Sequence, residues 1–269
     1  MENEKENTGA AHRPRKMFGQ NFLTDLKLRE FIVNSAFIVK TDTVLEIGPG
    51  RGELTGIIAL RCPVIAVEID RDLVKLLRSR FAENSRVEII EGDILDYDLS
   101  KLPPAKLKVI GNVPYYITTP IIFKLLENKE KVEMAVLTIQ KEVAERLTAV
   151  PGSKEYGVLT VMVGMYAEVK ILKKIPAAAF YPAPKVDSAV ISIKPLEFTK
   201  AAVKNSVVFE KLVKTAFQQR RKNIKNALVR FGAGKEEALE ILKTSGIKEN
   251  ARPEDVSIEE FAKIADALS

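Results

Sequence analysis

Short runs of apolar residues alternate along the chain with segments whose apolar residues recur every three or four positions. The runs predict strands at 43–47, 64–69, 87–90, 107–110 and 134–139. The segments with helical spacing predict helices at 53–60, 72–81, 119–126 and 141–147, and Thr24 or Asp25 can cap an earlier one. Continuous apolar strands separated by helices are typical of a parallel sheet covered on both faces, so the pattern predicts an α/β fold.

The pattern changes after Gly157. Residues 157–172 predict a helix followed by a strand, and the alternating stretch 185–195 predicts a strand that returns antiparallel as a hairpin. Only helical patterns follow, at 209–231, 235–244 and 257–268. We therefore place a domain boundary near 195–205 and expect three parts: a flexible basic tail at 1–16, a mostly parallel α/β domain at 17–197, and a small all-α domain at 198–269.

The composition narrows the classes of function that remain. The chain has 269 residues, of which 46% are hydrophobic, enough for one sizeable core and a small second one. A single cysteine and a single histidine argue against a disulfide, a Ser-His or Cys-His hydrolase and a histidine-rich metal site. The sequence predicts no membrane span and no apolar signal peptide, and we expect a cytoplasmic protein.

The charge balance favours a polyanionic partner. The net charge is +6, and between residues 200 and 230 nine Lys or Arg stand against one acidic residue, Glu210. A second basic cluster, Arg13, Arg15 and Lys16, precedes the folded part. A solvated helix face would show the same charge run, so this feature alone leaves the partner open.

The stretch VLEIGPGRGELT at 44–55 predicts a strand, a glycine-rich turn and a helix start. Gly48 and Gly50 let the backbone approach a ligand closely. A dinucleotide fingerprint would place a third glycine at position 53, where Glu53 stands instead and would repel a pyrophosphate. A cofactor without phosphates but with an ammonium group fits better, and S-adenosylmethionine answers that description.

Acidic residues close the next two strands. Glu68 lies 20 residues beyond Gly48 and is expected to accept hydrogen bonds from ribose hydroxyls; Asp70, on the same side, is the other candidate. Asp93 follows the third strand and is expected to accept from an adenine amino group, with Ile94 packed against the ring. Either carboxylate alone would more often be a solvated strand end, but the series favours a nucleoside cofactor.

The fourth strand runs into GNVPYYITTPI at 111–121. The Asn112 side-chain oxygen and a backbone carbonyl beside Pro114 can accept both hydrogens of an exocyclic amine on a nucleobase. That would localise the nitrogen lone pair and aim it at a methyl donor. Tyr115 offers a flat face on which the base can stack. A proline-ended turn with core tyrosines is the structural alternative.

These residues carry a resemblance to a known family. The chain resembles the KsgA family of ribosomal RNA adenine dimethyltransferases through six motifs that span nearly its whole length: GQNFL at 19–23, EIGPGRGELT at 46–55, VEID at 67–70, GD at 92–93, GNVPYYITTPI, and FYPAPKVDSAV at 180–190. The resemblance implies a Rossmann-like methyltransferase domain with a small helical RNA-binding domain. It also implies two methyl groups on each of two adjacent adenosines near the 3′ end of 16S ribosomal RNA, added late in assembly of the small subunit.

The resemblance also implies roles for individual residues. Asn21 and Leu23 would close over S-adenosylmethionine, which leaves as S-adenosylhomocysteine, and Gly48, Glu68, Asp93 and Asn112 would contact it or its surroundings. Phe180 would stack on the face of the target adenine opposite Tyr115, although without the resemblance a core position is favoured. No metal is expected, and nothing suggests more than a monomer.

The basic helical segment gains a role from the same resemblance. The stretch TAFQQRRKNIKNAL at 215–228 would carry Arg220, Arg221, Lys222 and Lys225 on one helix of the RNA-binding domain. Contacts from such residues go mainly to phosphate, and they position an RNA without reading its sequence.

Several other functions share parts of this pattern. The related dimethyltransferases of large-subunit ribosomal RNA, of the antibiotic-resistance type, share the cofactor motifs, but Tyr116 and the Thr-Thr-Pro after it fit the KsgA type better. A non-catalytic transcription-factor relative is disfavoured by the absence of an Arg/Ser-rich targeting segment. DNA adenine methyltransferases usually carry an acidic residue where Asn112 stands. A plain RNA-binding module would not need Asn112, Tyr115 and the acidic strand ends together.

Overall fold

The computed structural model describes residues 19–102, 106–218 and 222–269. The predicted flexible tail at 1–16 lies outside the described residues. The strands are β1 (Phe22–Leu23), β2 (Val44–Ile47), β3 (Val64–Glu68), β4 (Val87–Glu91), β5 (Leu107–Asn112), β6 (Val132–Gln140), β7 (Ala167–Ile175), β8 (Phe180–Tyr181) and β9 (Ser188–Pro195). The helices are α1 (Leu26–Asn34), α2 (Glu53–Ala59), α3 (Arg71–Arg80), α4 (Thr118–Glu127), α5 (Lys141–Leu147), α6 (Val158–Gly164), α7 (Ser206–Phe217), α8 (Ile224–Phe231), α9 (Lys235–Ser245) and α10 (Ile258–Ala267).

The main sheet has seven strands within the described residues, in the order β4-β3-β2-β5-β6-β9-β7. Its first five strands are parallel, and β9 runs antiparallel to both β6 and β7. The predicted parallel sheet and its antiparallel hairpin are therefore confirmed. The carboxyl ends of β2, β3, β4 and β5 lie along one edge, because parallel strands that share a register end together.

Two apolar clusters cover the two faces of this sheet. Strand β2 contributes to both, since alternate side chains point to opposite faces: Leu45 and Ile47 belong to one cluster and Val44 to the other. A third cluster fills the helical part and includes Phe209, Leu228 and Phe261. It also takes in Met162 from α6, which precedes the predicted domain boundary, so the helices of the second part pack on the first.

The single helix predicted over 209–231 is wrong. Helix α7 ends at Phe217 and α8 begins at Ile224, after Asn223. The Asn223 side chain accepts a hydrogen bond from the Asn226 backbone N–H and so caps a new helix. Apolar spacing alone does not reveal a cap inside a periodic segment. No helix of the described residues is both long and apolar enough to cross a bilayer.

A second small sheet was not predicted. Strand β1 pairs antiparallel with β8, so that Phe22 faces Tyr181 and Leu23 faces Phe180. This pairing fastens the segment before α1 to the segment before β9, and both segments lie beside the carboxyl edge of the main sheet.

Candidate active site

A cavity opens at the carboxyl edge of the sheet, beside β2 and β5. The chain reaches β3 and β5 on opposite sides of β2, and ligands bind α/β proteins at such reversals of strand order. The cavity holds about 1140 Å³ of empty space, including the part open to solvent. It brings together most of the predicted site residues, namely Asn21, Leu23, Gly48, Gly50, Glu68, Asp93, Ile94, Asn112, Pro114 and Tyr115.

The glycine turn after β2 forms the floor of the cavity. Gly48 and Gly50 have φ angles of +65° and +61°, in the left-handed region that side chains disfavour. A Cβ atom on Gly48 would meet no protein atom within 4 Å, so the space above it belongs to the cavity. A Cβ atom on Gly50 would lie 2.9 Å from the Phe22 ring. The turn therefore needs glycine at position 50 for close packing and leaves open space at position 48.

The carboxylate of Glu68 is fixed at the end of β3. Its Oε2 accepts from the Gly50 N–H at 3.0 Å, and its Oε1 accepts from the backbone N–H groups of Ile69 and Asp70, each at 3.0 Å. Burial raises the pKa of Glu68, and the hydrogen bonds from Asp70 and Gly50 offset part of that rise. The same carboxylate thus ties the strand end to the glycine turn and lines the cavity.

Asp93 and Ile94 lie after β4 on the same edge. Asp93 is half-buried, and its Oδ1 accepts from the Leu95 N–H at 2.8 Å. Ile94 is buried at 5% exposure, although its side chain still lines the cavity. An acceptor and an apolar surface therefore stand side by side, as the sequence predicted.

Asn112 closes β5 and faces the N-terminal segment. Its Nδ2 donates to the backbone carbonyl of Asn21 at 2.7 Å, and the Asn21 amide donates in turn to the Gly19 carbonyl. The first bond fixes the orientation of the Asn112 amide, because its nitrogen is committed to Asn21.

The N-terminal segment 19–25 is held across the cavity by contacts that the sequence did not predict. Arg29 donates to the Leu23 carbonyl from two nitrogens, at 2.9 and 2.7 Å, and also pairs with Glu53. Gln20 Nε2 donates to Asp70 Oδ2 at 2.9 Å. The Arg51 guanidinium lies 4.6 Å from the centre of the Phe22 ring. Arg29 follows the quoted GQNFL motif, and its charge among apolar helix positions was the available signal.

Pro114 and Tyr115 continue from β5 into a single 3-10 turn, Tyr115–Ile117. The Pro114 carbonyl accepts from the Ile117 N–H at 3.2 Å. The Tyr115 ring is half-buried, and its hydroxyl lies 2.7 Å from Ser188 Oγ. Burial raises the pKa of Tyr115. The ring therefore lines the cavity with its hydroxyl held by the main sheet.

The structure does not bring Phe180 to the cavity. Its side chain is 4% exposed and belongs to the apolar cluster that also contains Leu23, Ile175 and Val190. Neighbouring residues of a strand point to opposite sides, so its neighbour Tyr181 is exposed instead. Its role as a second stacking face stays a prediction.

Glu46 is a cavity residue that the sequence analysis did not single out. It lies in β2 at 1% exposure, and the Thr55 hydroxyl donates to its Oε2 at 2.6 Å. Burial, together with the nearby Glu68 carboxylate, raises the pKa of Glu46 to about 8. The acidic letter inside an apolar strand, in the quoted motif EIGPGRGELT, was the signal for it.

The basic residues predicted to bind RNA are only partly described. Arg220 and Arg221 lie outside the described residues. Lys222 is exposed just before α8, and Lys225 lies in the first turn of that helix. Elsewhere, the described residues contain no group of three or more His, Cys, Asp or Glu that could hold a metal ion.

Comparison with known proteins adds the family context. A model of the ribosomal RNA adenine dimethylase family matches residues 11–269. A protein of Alkaliphilus oremlandii named ribosomal RNA small subunit methyltransferase A is 44% identical over 94% of this chain and 91% of its own length. A protein of the same name from Geobacter metallireducens is 42% identical over 97% of both chains.

Two solved structures share the fold over most of the chain. The dimethyladenosine transferase from Plasmodium falciparum superposes with a TM-score of 0.78 at 26% identity, covering 90% of this chain and 95% of that one. The 23S ribosomal RNA methyltransferase ErmE gives a TM-score of 0.73 at 29% identity, covering 92% and 99%. Their likeness agrees with a Rossmann-like methyltransferase fold.

Proposed function

This chain belongs to the ribosomal RNA adenine dimethylase family, and from that premise we propose that it dimethylates the N6 amines of two adjacent adenosines near the 3′ end of 16S ribosomal RNA. The observation that carries the proposal is one cavity in which Asn112 and Tyr115 lie beside the Gly48 turn and Glu68. The 44% identity to a small-subunit methyltransferase supports the choice of RNA.

We propose S-adenosyl-L-methionine as the cofactor, which supplies a methyl group activated by a positively charged sulfur and leaves as S-adenosyl-L-homocysteine. The cavity fits a ligand of this kind. The space above Gly48 is open to a close approach, and Glu68 keeps acceptor capacity because an ionised carboxylate has about four lone-pair sites. Three of these take the N–H groups of Gly50, Ile69 and Asp70. Asp93 and Ile94 would hold the adenine, and Asn21 and Leu23 would cover the cofactor.

Asn112 would hold the amine that is methylated. Its Nδ2 is committed to the Asn21 carbonyl at 2.7 Å, which leaves Oδ1 to accept one amine hydrogen. A backbone carbonyl beside Pro114 would accept the other; the Pro114 carbonyl already takes the Ile117 N–H, but a carbonyl oxygen has two lone pairs. Two fixed acceptors localise the nitrogen lone pair and set its direction. The methylated amine is acidic enough to lose its extra proton to water, so no general base is assigned.

Tyr115 would stack on the target base, and Phe180 would take the opposite face. The half-buried Tyr115 ring supports the first assignment, since it lines the cavity next to Asn112. Base–aromatic stacking contributes about 1–3 kcal/mol per base. The second assignment requires Phe180 to leave its apolar cluster.

The domain roles follow from the same proposal. Residues 17–197 would form the catalytic domain and residues 198–269 the RNA-binding domain, with the basic tail at 1–16 before them. Arg220, Arg221, Lys222 and Lys225 would contact phosphates of the RNA in an assembling small subunit. We expect a monomer that works in the cytoplasm.

Undermethylated small subunits provide the direct test. They are incubated with the protein and with S-adenosylmethionine labelled in its methyl group, and the product RNA is mapped by primer extension. Because N6-dimethylation removes the donor that adenine uses in base pairing, reverse transcriptase should stop at both adenosines. Asn112→Ala is the matched inactive variant, and reactions without methyl donor give the background.

Large subunits run in parallel decide between the two ribosomal RNAs. The likeness to ErmE makes 23S ribosomal RNA the second candidate substrate. Label on the large subunit would support the antibiotic-resistance type and contradict the proposal. Label on neither subunit, with intact cofactor binding, would favour a non-catalytic relative.

A further inference from the structure

A buried hydrogen bond connects the candidate stacking ring to the far end of the sheet. The Tyr115 hydroxyl and Ser188 Oγ are 2.7 Å apart, and Ser188 is fully buried. Ser188 is the first residue of β9 and pairs with Gln140 of β6 on one side and with Ile175 of β7 on the other. It is also the last polar residue of the motif FYPAPKVDS, to which the proposed function gives no role beyond Phe180.

The backbone around Ser188 is itself fixed. The Lys141 N–H donates to the Asp187 carbonyl at 3.0 Å, and the Ala177 N–H donates to Asp187 Oδ1 at 3.1 Å. These bonds join the start of β9 to the start of α5 and to the segment after β7. Ser188 therefore offers Tyr115 a partner whose position does not follow the motions of the cavity mouth.

A hydrogen bond to a phenol restrains the ring as well as its oxygen. The phenolic oxygen conjugates with the ring, so its O–H and its accepting lone pair favour the ring plane. A partner at a fixed point therefore favours two equivalent orientations of the Tyr115 ring, related by a half turn. Burial raises the pKa of Tyr115, so the phenol stays protonated near neutral pH and the bond persists.

We propose that Ser188 is a positioning residue for methyl transfer, which sets the plane of the Tyr115 ring against which the target base stacks. This inference rests on the proposed function and extends it to a residue that touches neither substrate nor cofactor. A base that stacks on a tilted ring would present its amine away from the two acceptors, Asn112 and the carbonyl beside Pro114. Ser188 therefore acts on turnover through Tyr115 and leaves cofactor affinity unchanged.

The first test is a double-mutant cycle on small subunits. Ser188→Ala and Tyr115→Phe should each lower kcat by about tenfold, the effect of losing one hydrogen bond, with the dissociation constant of the cofactor unchanged. The double variant should be no slower than either single variant, because both remove the same bond. Multiplied effects, or an unchanged kcat in Tyr115→Phe, would overturn the inference. Tyr115→Phe alone suffices if Ser188→Ala does not fold.

Thr138→Val is the matched control. Thr138 is a fully buried residue of β6 whose hydroxyl has no hydrogen-bond partner in the part of the chain described. Valine keeps its shape and removes only the hydroxyl, so kcat should stay at the wild-type value. A tenfold loss in this variant would show that any change to a buried hydroxyl of this sheet slows the enzyme, and would overturn the specific role of Ser188.

The second test does not depend on methylation. Fluorine at one ortho position of the tyrosines makes the two ring orientations distinct, and Tyr115→Phe identifies the resonances of Tyr115. The wild type should show two resonances, and Ser188→Ala should show one averaged line because its ring turns freely. An averaged line in the wild type would overturn the inference, whereas absence of methyl label from wild-type reactions would overturn the proposed function instead.

Discussion

Replacing Glu46 by glutamine should flatten the dependence of stability on pH. Glu46 is 1% exposed, and its burial beside Glu68 raises its pKa to about 8, although the hydrogen bond from Thr55 opposes that rise. The group is therefore mostly neutral at pH 7 in the folded protein. Glutamine keeps an oxygen that can accept from Thr55, but it does not titrate.

The sign and size of the effect follow from linkage. In the unfolded chain the carboxyl titrates near 4.5, so between pH 4.5 and 8 the folded state holds a proton that the unfolded state has released. This contribution to stability is complete below about pH 4.5 and is lost as the pH rises through 8. Between pH 5.5 and 7.5 the loss amounts to about 2.5 kcal/mol, or about 5–10 °C in Tm for a chain of this size.

Thermal unfolding followed by circular dichroism at several pH values measures it. The difference in Tm between pH 5.5 and 7.5 should be smaller in Glu46→Gln than in the wild type by that amount, since every other titrating group is shared. Glu249→Gln, which changes an exposed carboxyl, should follow the wild type. Parallel curves for Glu46→Gln and the wild type would refute the neutral state of Glu46.

Three further outcomes are expected. Asn112→Ala should lower kcat by about 100-fold or more, with cofactor affinity from calorimetry little changed; normal turnover would refute the role of its amide. Replacing Lys222 and Lys225 by glutamine should weaken RNA binding and lower the salt slope by about 0.7 per phosphate contact in a filter assay, whereas an unchanged slope would make them solvated residues. Gly50→Ala should weaken cofactor binding at least about tenfold, because its φ is +61° and its Cβ would lie 2.9 Å from Phe22; wild-type affinity would contradict this.

The order of elements in the α/β part could be predicted because each strand is a short apolar run. Strand β2 is buried along its whole length, which requires helices on both faces, and the sequence supplies them. Parallel strands end at one edge, so residues after different strands, such as Glu68 and Asn112, could be placed together without knowing any distance. Their placement in one cavity is what the sequence predicted, whereas their roles in catalysis stay predictions.

Other features could not be predicted because they depend on contacts between distant residues. Strands β1 and β8 have two residues each, too short for any periodicity, and Leu23 meets Phe180 across most of the catalytic part. The raised pKa of Glu46 depends on complete burial. The break between α7 and α8 depends on the cap at Asn223, whereas apolar spacing continues through it.

The position of Phe180 shows how tertiary packing limits an assignment made by resemblance. Its burial in the cluster with Leu23 and Val190 stabilises the fold by about 1.5–3 kcal/mol. Stacking on a base would return about 1–3 kcal/mol, so the two arrangements are close in energy. If Phe180 does face the adenine, β8 must separate from β1, and the same movement would loosen Asn21 and Leu23 over the cofactor. Binding of the RNA and closure over the cofactor would then be coupled through this two-residue pairing, because each draws on the same contacts.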